Sequence, residues 1–261
     1  MISSKNNPKI AHIRALLTQR KTRTEFGEFV VEGVRLCEEA SAIGVKPQNV
    51  LFTPGLSERG KILVENFGKL GCEVEEIPES LMTSISDTET SQGILAVVHF
   101  QVLPDAKERT FIVIADAIRD PGNLGSLIRS AAAAGVDEFF ITPGTADPYA
   151  PKVVRAGMGA HFHLPIRERS WEHIRGDVAA SKAGNKPLVL LADMAGDPMW
   201  DIDLTKPLAL IIGGEAAGAS TEARSLASAR ISIPMAGKTE SLNAAIAGSI
   251  LLFEVLRQRR K

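Results

Sequence analysis

Short apolar segments alternate with helical segments through the second half of the chain, and this alternation constrains the fold more than any other feature. Strands with so few polar residues are typical of a sheet that is covered on both faces. The predicted strands lie at residues 111–115, 138–142, 188–192, 208–212 and 231–233, and the predicted helices at 124–134, 170–181, 221–228 and 241–258. The pattern therefore predicts an α/β domain built around a parallel sheet.

The first hundred residues repeat this pattern on a smaller scale. Ile10, Ile13 and Leu16 recur at helical spacing, which predicts an amphipathic helix over residues 8–20. Further strands are predicted at 50–53, 72–78 and 93–100, a helix at 57–69, and a strand followed by a helix in "EFVVEGVRLCEEASAIG". A polar segment with a proline, residues 102–109, separates the halves. We therefore predict two domains, at 1–102 and 107–261.

Charge is distributed unevenly along the chain. The net charge is −1, yet residues 1–25 carry six basic residues and one acidic residue, so the remainder sums to −6. A basic segment on a mildly acidic body indicates an arm that contacts phosphates. A solvated helix face explains the same charges equally well.

The cysteines, the histidines and the hydropathy of the chain indicate whether to expect a disulfide, a metal site or a membrane span. Cys37 and Cys72 form no CxxC pair, and the five histidines show no metal-ligand spacing with them. We expect two buried thiols in a reducing cytosol, and no metal site. His161 and His163 alternate along a predicted strand.

No apolar run approaches the roughly 18 residues that span a bilayer, and the N-terminus lacks the apolar region of a secretory signal. These features predict a cytoplasmic protein without a membrane partner.

The segment "FIVIADAIRDPGNLGSLIRSAAAAGVDEFF" (111–140) has the strand–turn–helix–strand order of a nucleotide-binding unit. The dinucleotide fingerprint requires GxGxxG after the strand and an acidic residue at the end of the next one. Here the turn has glycines three residues apart, no third glycine and no such acid, and the chain has no GxxxxGK[ST] segment. Both common nucleotide-binding folds are therefore disfavoured.

Arg129 has an unusual setting in the helix that follows this turn. Its helical neighbours are the small residues Gly125, Ser126, Ala132 and Ala133. A long cation between small side chains lies in a groove that a backbone or ligand can approach closely. This setting favours a functional role for Arg129 over a structural ion pair.

Two later segments also place small residues at the end of a strand. In "LALIIGGEAAGAS" (208–220), glycines at the strand end let a ligand approach the backbone, and Glu215 lies where an α/β sheet keeps its crevice. "ISIPMAGKTESLNAAIAGSILLFEVL" (231–256) predicts a short strand, a loop and a long helix that is buried all round. Ser241 and Asn243 lie in its first turn, where helix capping is the alternative role.

Together, "NLGSLIRSAAAAG", "IIGGEAAG" and "IPMAGKTESLNAAIAG" resemble the three ordered motifs of the SpoU/TrmH-type RNA 2′-O-ribose methyltransferases, in the SPOUT superfamily. "PKVVRAGMGAHFHLPI" (151–166) is similar to the segment between the motifs of that family. "FVVEGVRLCEEA" and "SQGI" resemble its N-terminal substrate-binding domain. The resemblance covers nearly the whole chain.

This resemblance implies a fold that the residue pattern does not give: a C-terminal SPOUT α/β-knot, a deep trefoil knot with a mostly parallel sheet, beside a small N-terminal α/β substrate-binding domain. It implies a homodimer with the active site near the interface. It also implies S-adenosylmethionine as cofactor, no metal, and RNA as substrate, most naturally 23S-type ribosomal RNA because a separate N-terminal domain is present.

The resemblance also implies site residues at matching positions. It implies a polar catalytic set and cofactor contacts in the loops. The catalytic set is Asn123, Arg129, Glu215, Ser241 and Asn243; the cofactor contacts are Thr142, Gly213, Ile233, Met235 and Leu242. It makes Arg155 a further RNA or dimer-interface contact. From their charge, Lys21 and Arg23 of the basic N-terminal segment, together with Arg35, are expected to contact RNA phosphates. Ala216 departs from the family, which usually has glycine there.

Three alternatives stay open at this point. The RNA could be a tRNA, although shorter tRNA enzymes of this group often lack the N-terminal domain. The chain could be a catalytically inactive RNA-binding factor for ribosome assembly, against which the intact polar set argues. A small-molecule nucleotide enzyme is disfavoured by the failed fingerprints.

Overall fold

The computed structural model describes residues 2, 4, 6–86, 88, 90–104, 108–180, 187–214, 218–238 and 240–260. The chain divides into two compact units. The first contains residues 1–101 and 149–162, and the second contains 102–148 and 163–261. Residue 107, the predicted start of the second domain, lies outside the described residues, so that boundary stays a prediction. No helix among the described residues is both long and apolar enough to cross a bilayer.

The first unit is a four-stranded sheet with helices on both faces. Its strands lie in the order β1-β4-β2-β3, with β4 antiparallel to β1 and β2, and β2 parallel to β3. The elements are α1 (Pro8–Thr18), α2 (Arg20–Phe26), β1 (Glu28–Glu32), α3 (Val34–Ala42), β2 (Asn49–Phe52), α4 (Glu58–Lys69), β3 (Glu73–Glu76), α5 (Glu79–Ile85) and β4 (Ile94–His99).

Alternation along β4 divides the apolar residues of the first unit between two cores. Ile94, Ala96 and Val98 join the core beneath α3 and α4, whereas Leu95 and Val97 join the core beneath α1 and α5. Cys37 lies within the first of these cores, where burial raises the pKa of its thiol to about 12. Cys37 and Cys72 are both free, as expected for a chain without disulfides, and Cys72 is only half-buried.

A segment from the middle of the chain completes the first unit. It contains α7 (Pro151–Gly157) and a 3₁₀ turn at Ala160–Phe162. Phe162 packs against Phe29 at a ring-centroid distance of 6.0 Å, and Tyr149 stacks on Phe100 at 3.9 Å. The strand predicted around His161 is therefore wrong: residues 160–162 form the turn, and aromatic packing explains the alternating apolar pattern.

The second unit contains a six-stranded sheet in which every neighbouring pair is parallel, in the order β10-β8-β9-β5-β6-β7. The elements are β5 (Phe111–Asp116), α6 (Pro121–Ala133), β6 (Glu138–Ile141), β7 (Ile166–Glu168), α8 (Trp171–Ala179), β8 (Leu188–Pro198), β9 (Leu208–Gly213), α9 (Thr221–Leu226), β10 (Ala229–Ser232) and α10 (Ala244–Arg259). The predicted parallel sheet is confirmed.

Helices cover this sheet on two faces. Ile174, Val178 and Ala223, from α8 and α9, share a core with the sheet. Helices α6 and α10 pack together, and Gly248 makes close packing possible because a side-chain carbon there would meet Leu127. The expectation that α10 is buried all round is wrong within this chain, since Ile246 and Phe253 are about half exposed.

Candidate active site

The carboxyl ends of β5 and β9 form the point where the strand order changes direction. After β5 the chain continues to β6 on one side, and it later returns through β8 and β9 to the other side. Asp116, the last residue of β5, pairs with Gly213, the last residue of β9. In open α/β sheets, ligands bind in the crevice outside the strand ends at such a point.

A buried carboxylate holds this edge of the sheet together. Asp116 is almost fully buried, and its Oδ2 accepts a hydrogen bond from the Ser220 amide at 2.7 Å. Its Oδ1 accepts from the Thr142 hydroxyl at 3.3 Å, and that hydroxyl accepts from the Ala117 amide at 3.1 Å. Asp116 thus connects the ends of β5 and β6 with the loop after β9. Each hydrogen bond reduces the cost of burying this polar group.

Two glycines at the end of β9 allow a tight approach between backbone segments. A side-chain carbon on Gly213 would lie 2.9 Å from the Ala219 amide nitrogen. One on Gly214 would overlap the Ala117 carbonyl group, whose residue has an unusual positive φ of 53°. The Gly214 amide donates to the Asp116 carbonyl oxygen at 2.8 Å. Glycine at these two positions therefore lets the loop after β9 pack closely on itself and on the end of β5.

Two predicted catalytic residues meet where α6 and α10 begin. Asn243 caps α10, its Oδ1 accepting from the Ala245 and Ile246 amides. Its Nδ2 donates to Asn123 Oδ1 at 2.9 Å, and Asn123 lies in the first turn of α6. The capping role considered for Asn243 is thus present, and the same side chain joins two of the three sequence motifs.

Helices α6 and α10 run side by side in the same direction from this contact. Ser249 donates to Ser130 at 2.7 Å, further along both helices. Arg129 lies six residues beyond Asn123, about 9 Å along the helix axis, and it is exposed. Among the described residues, Arg129 has no hydrogen bond or ion pair.

The other predicted residues are distributed around the same edge. Ser241 is exposed and precedes α10, which begins at Ala244 rather than at residue 241. Ile233 and Leu242, both half-buried, and the exposed Met235 lie in the loop between β10 and α10. Glu215 and Ala216 lie outside the described residues.

The comparisons with known proteins agree with this geometry. Residues 110–253 match the model of the SpoU rRNA methylase family, and residues 7–96 match that of an MRM3-like substrate binding domain. The chain belongs to the SpoU rRNA methylase family. Its sequence is 33% identical to the 23S rRNA (guanosine(2553)-2′-O)-methyltransferase RlmP of Bacillus subtilis, over 97% of this chain and 98% of that protein.

Two further similarities extend over 97% of this SpoU methylase. A 23S rRNA (uridine(2479)-2′-O)-methyltransferase of Streptomyces viridochromogenes is 37% identical, over 97% of this chain and 91% of that protein. The crystal structure of the SpoU methyltransferase AviRb from the same organism, in complex with the cofactor AdoMet, superposes with a TM-score of 0.85 at 34% identity. That superposition covers 97% of this chain and 99% of the other.

The predicted RNA contacts of this SpoU methylase lie in the first unit and have unequal settings. Lys21 and Arg35 are exposed, and Arg155, in α7, is partly buried. Arg23 is buried, and its guanidinium donates to the Leu16 carbonyl at the end of α1. An RNA contact by Arg23 is therefore not supported, because its side chain is used inside the unit.

Some residues of the site were missed from the sequence. Asp116 and Ser220 are not predicted, although an acid ending the apolar segment "FIVIAD" is a usable signal. A second omission is the irregular end of β8, where β10 pairs with Leu191 and then with Asp197. A hydrogen bond from the Ala195 amide, with Arg224 and Arg230 nearby, lowers the pKa of Asp193 in this bulge.

Proposed function

We propose that this SpoU methylase transfers a methyl group from S-adenosylmethionine to a ribose 2′-hydroxyl in 23S-type ribosomal RNA. One observation carries the proposal: two of the three motifs join through the Asn123–Asn243 hydrogen bond, beside the strand ends where Gly213 pairs with Asp116. The two curated relatives described above are named as 23S rRNA 2′-O-methyltransferases and align along nearly all of this chain.

The residues at this edge fit S-adenosylmethionine. Gly213, Ile233 and Leu242 would contact the cofactor through their backbone. Their positions support this role, since Gly213 ends β9 and the other two lie in the loop that follows β10. Met235 is exposed in the same loop and is a further candidate. Thr142 would contribute only through its backbone, since its hydroxyl already bonds to Asp116 and Ala117. When bound, the cofactor supplies a methyl group that its sulfonium has already activated.

The polar set would position and deprotonate the ribose. Arginine has a pKa above about 12 and is a poor general base, so we assign Arg129 to the phosphate beside the target ribose and to the developing alkoxide. Asn123 and Glu215 would orient the ribose or Arg129, and Ser241 and Asn243 would hold the start of α10. Holding the reacting groups in place is the main contribution expected from this chain.

A homodimer would cover the outer face of the α6–α10 pair. Ile246 and Phe253 lie seven residues apart on α10 and are both about half exposed. Arg129, Ser126 and Ala133 are exposed on α6. Two large apolar side chains exposed on α10 favour a second copy of this chain as the partner that covers them. The trefoil knot and the cytoplasmic location remain part of the same proposal.

The proposed function also gives each predicted domain a role. We assign RNA recognition to residues 1–102 and methyl transfer to residues 107–261, with the segment 149–162 serving the first unit. The name of the matched domain at residues 7–96 supports this division. Lys21, Arg35 and Arg155 remain candidate RNA contacts.

The decisive experiment incubates the purified protein with radiolabelled S-adenosylmethionine and, separately, unmodified bulk rRNA and tRNA. We expect label in rRNA at one linkage that resists alkaline hydrolysis, which is diagnostic of ribose 2′-O-methylation. Label in tRNA alone would replace the substrate and keep the chemistry. Cofactor binding without label in naked RNA or in ribosomal particles would favour the inactive RNA-binding factor.

A further inference from the structure

A cleft of about 700 Å³ opens at one edge of the sheet in the first unit. It lies where β1 and β2 end and β4 begins, and its lining includes Val34, Arg35, Thr53, Ser57, Met82 and Gln92. Sites for small ligands typically measure about 300–1,000 Å³. The cleft is therefore large enough for one nucleotide and far too small for an RNA duplex.

Glycine backbone forms part of the wall of this cleft. Gly33 and Gly93 both have positive φ, 96° and 77°. A side-chain carbon would lie 2.9 Å from Gln92 Oε1 at Gly33 and 2.6 Å from Thr53 Oγ1 at Gly93. Only glycine gives these backbone conformations and the space together. Glycine at these positions therefore lets the Gln92 and Thr53 side chains pack directly against the backbone.

Two neutral polar side chains in the cleft have unused hydrogen-bonding capacity. Thr53 is only 4% exposed, yet its hydroxyl has no hydrogen bond among the described residues. Gln92 Oε1 accepts from the Val34 amide at 2.9 Å, which orients the side chain, while its Nε2 has no acceptor among the same residues. Gln92 is exposed and the Thr53 hydroxyl is open to the cleft, so a bound ligand can form hydrogen bonds with both groups.

The charges around the cleft are compatible with a single phosphate. Arg59 forms an ion pair with Glu38, and both Arg59 and Glu79 line the cleft. Arg35 is exposed in the first turn of α3 and forms no ion pair with any described residue. One uncommitted cation beside neutral donors and acceptors suits a nucleotide whose base is read by hydrogen bonds and whose phosphate is held at the rim.

We infer that this cleft binds one unpaired nucleotide of the RNA substrate, away from the methylated ribose. The base would lie against Val34 and Met82 and bond to Thr53 and Gln92, with its phosphate at Arg35. Unpaired nucleotides are the usual targets of sequence-specific RNA recognition, because their base edges are accessible. The inference rests on the proposed function, since it takes RNA as the substrate.

The test measures binding of full-length protein to unmodified large-subunit rRNA transcribed in vitro, across a salt series. Thr53→Val, which keeps the side-chain shape, is expected to raise the dissociation constant about five- to tenfold without changing the salt slope. Arg35→Ala is expected to raise it by a similar factor and to reduce the salt slope by about one. The dissociation constant for S-adenosylmethionine should not change in either variant.

Matched controls are Thr24→Val and Lys69→Ala, which alter a threonine and a cation outside the cleft. Both should bind the transcript as the unaltered protein does. Wild-type affinity in both cleft variants would overturn the inference. Free AMP, GMP, CMP and UMP form a second arm, and a free nucleotide that binds the cleft while Thr53→Val leaves RNA affinity unchanged would reject RNA as the occupant.

Methyl transfer is measured on the same protein samples, so the two proposals can fail separately. Absence of methyl transfer to any RNA by the unaltered protein contradicts the proposed function. Unchanged rRNA affinity in the two cleft variants contradicts the cleft assignment, whether or not methyl transfer occurs.

Discussion

The two units use polar side chains at their sheet edges in opposite ways. At the edge of the second unit, Asp116 accepts hydrogen bonds from the Thr142 hydroxyl and the Ser220 amide, and Asn243 donates to Asn123. At the edge of the first unit, the Thr53 hydroxyl and the Arg35 guanidinium have no such partners among the described residues. One edge uses its side chains to hold backbone in place, and the other leaves side chains available to a ligand.

This difference indicates that the edge of the second unit contributes to stability and the edge of the first unit to binding. Buried polar groups in folded proteins are normally hydrogen-bonded, so a network like that of Asp116 supports the fold. A group without a protein partner contributes little to the fold and is available for recognition. Substitutions in the two edges should therefore affect different measurements.

The largest expected effect is on catalysis. Arg129→Ala should lower the rate of methyl transfer about 10²- to 10³-fold, because the alkoxide and the neighbouring phosphate lose their cation. The thermal unfolding temperature should hardly change, since the exposed side chain has no partner among the described residues. Arg129→Lys should lose most activity too, because lysine lacks the planar fork.

Single-turnover assays at saturating cofactor measure this change directly, with Arg175→Ala on α8 as the matched control. Near-normal turnover in Arg129→Ala would remove Arg129 from the catalytic set.

The next effect is on the stability of the second unit. Asp116→Ala should lower the free energy of unfolding by about 2–3 kcal/mol, because the Ser220 amide and the Thr142 hydroxyl lose their acceptor. Both tryptophans, Trp171 and Trp200, lie in this unit, so urea unfolding followed by tryptophan fluorescence reports on it. Asp201→Ala at an exposed position is the control. Equal stability of the two variants would mean that the buried network does not support the edge.

A smaller effect is expected where backbone segments meet. Gly214→Ala should destabilise the second unit by about 1–3 kcal/mol and weaken cofactor binding, since the added carbon overlaps the Ala117 carbonyl group. Gly176→Ala on α8 is a matched control, because a carbon there meets nothing within 4 Å. Calorimetric titration with S-adenosylmethionine compares the two variants. Identical affinities would show that the loop tolerates a side chain.

The smallest effect is expected in the first unit. Thr53→Val should change the free energy of unfolding by less than about 0.5 kcal/mol, because no protein hydrogen bond of its hydroxyl is lost among the described residues. Thermal unfolding by circular dichroism provides the measurement. A destabilisation as large as that of Asp116→Ala would erase the contrast between the two edges.

The sequence predicts the parallel sheet of the second unit well, because strands buried on both faces must be apolar throughout. It does not predict the strand order, which depends on the path of the connections. Helix α5 and strand β7 were missed because they have only 7 and 3 residues, too few to show a clear period. Strand β8 continues to Pro198, past its apolar part, because β10 pairs with both ends of a bulge.

For the candidate site too, some residues were predicted from the sequence and others were not. Asn123 and Asn243 were predicted from the family motifs, and their hydrogen bond agrees with that prediction. Asp116 was missed because its burial depends on Ser220, which is 104 residues away in the sequence. Arg23 was predicted to contact RNA from charge alone, whereas the return of α2 towards the end of α1 buries it.

The aromatic contacts of Phe29 have a consequence for synthesis of the chain. Tyr149 and Phe162, which pack against Phe29, are translated only after residues 102–148 of the other unit. The first strands therefore emerge from the ribosome with part of their apolar face uncovered, and they keep it uncovered while β5 and β6 are made. Translation order thus delays completion of the N-terminal core, and a nascent chain stalled before residue 149 exposes a surface that chaperones can bind.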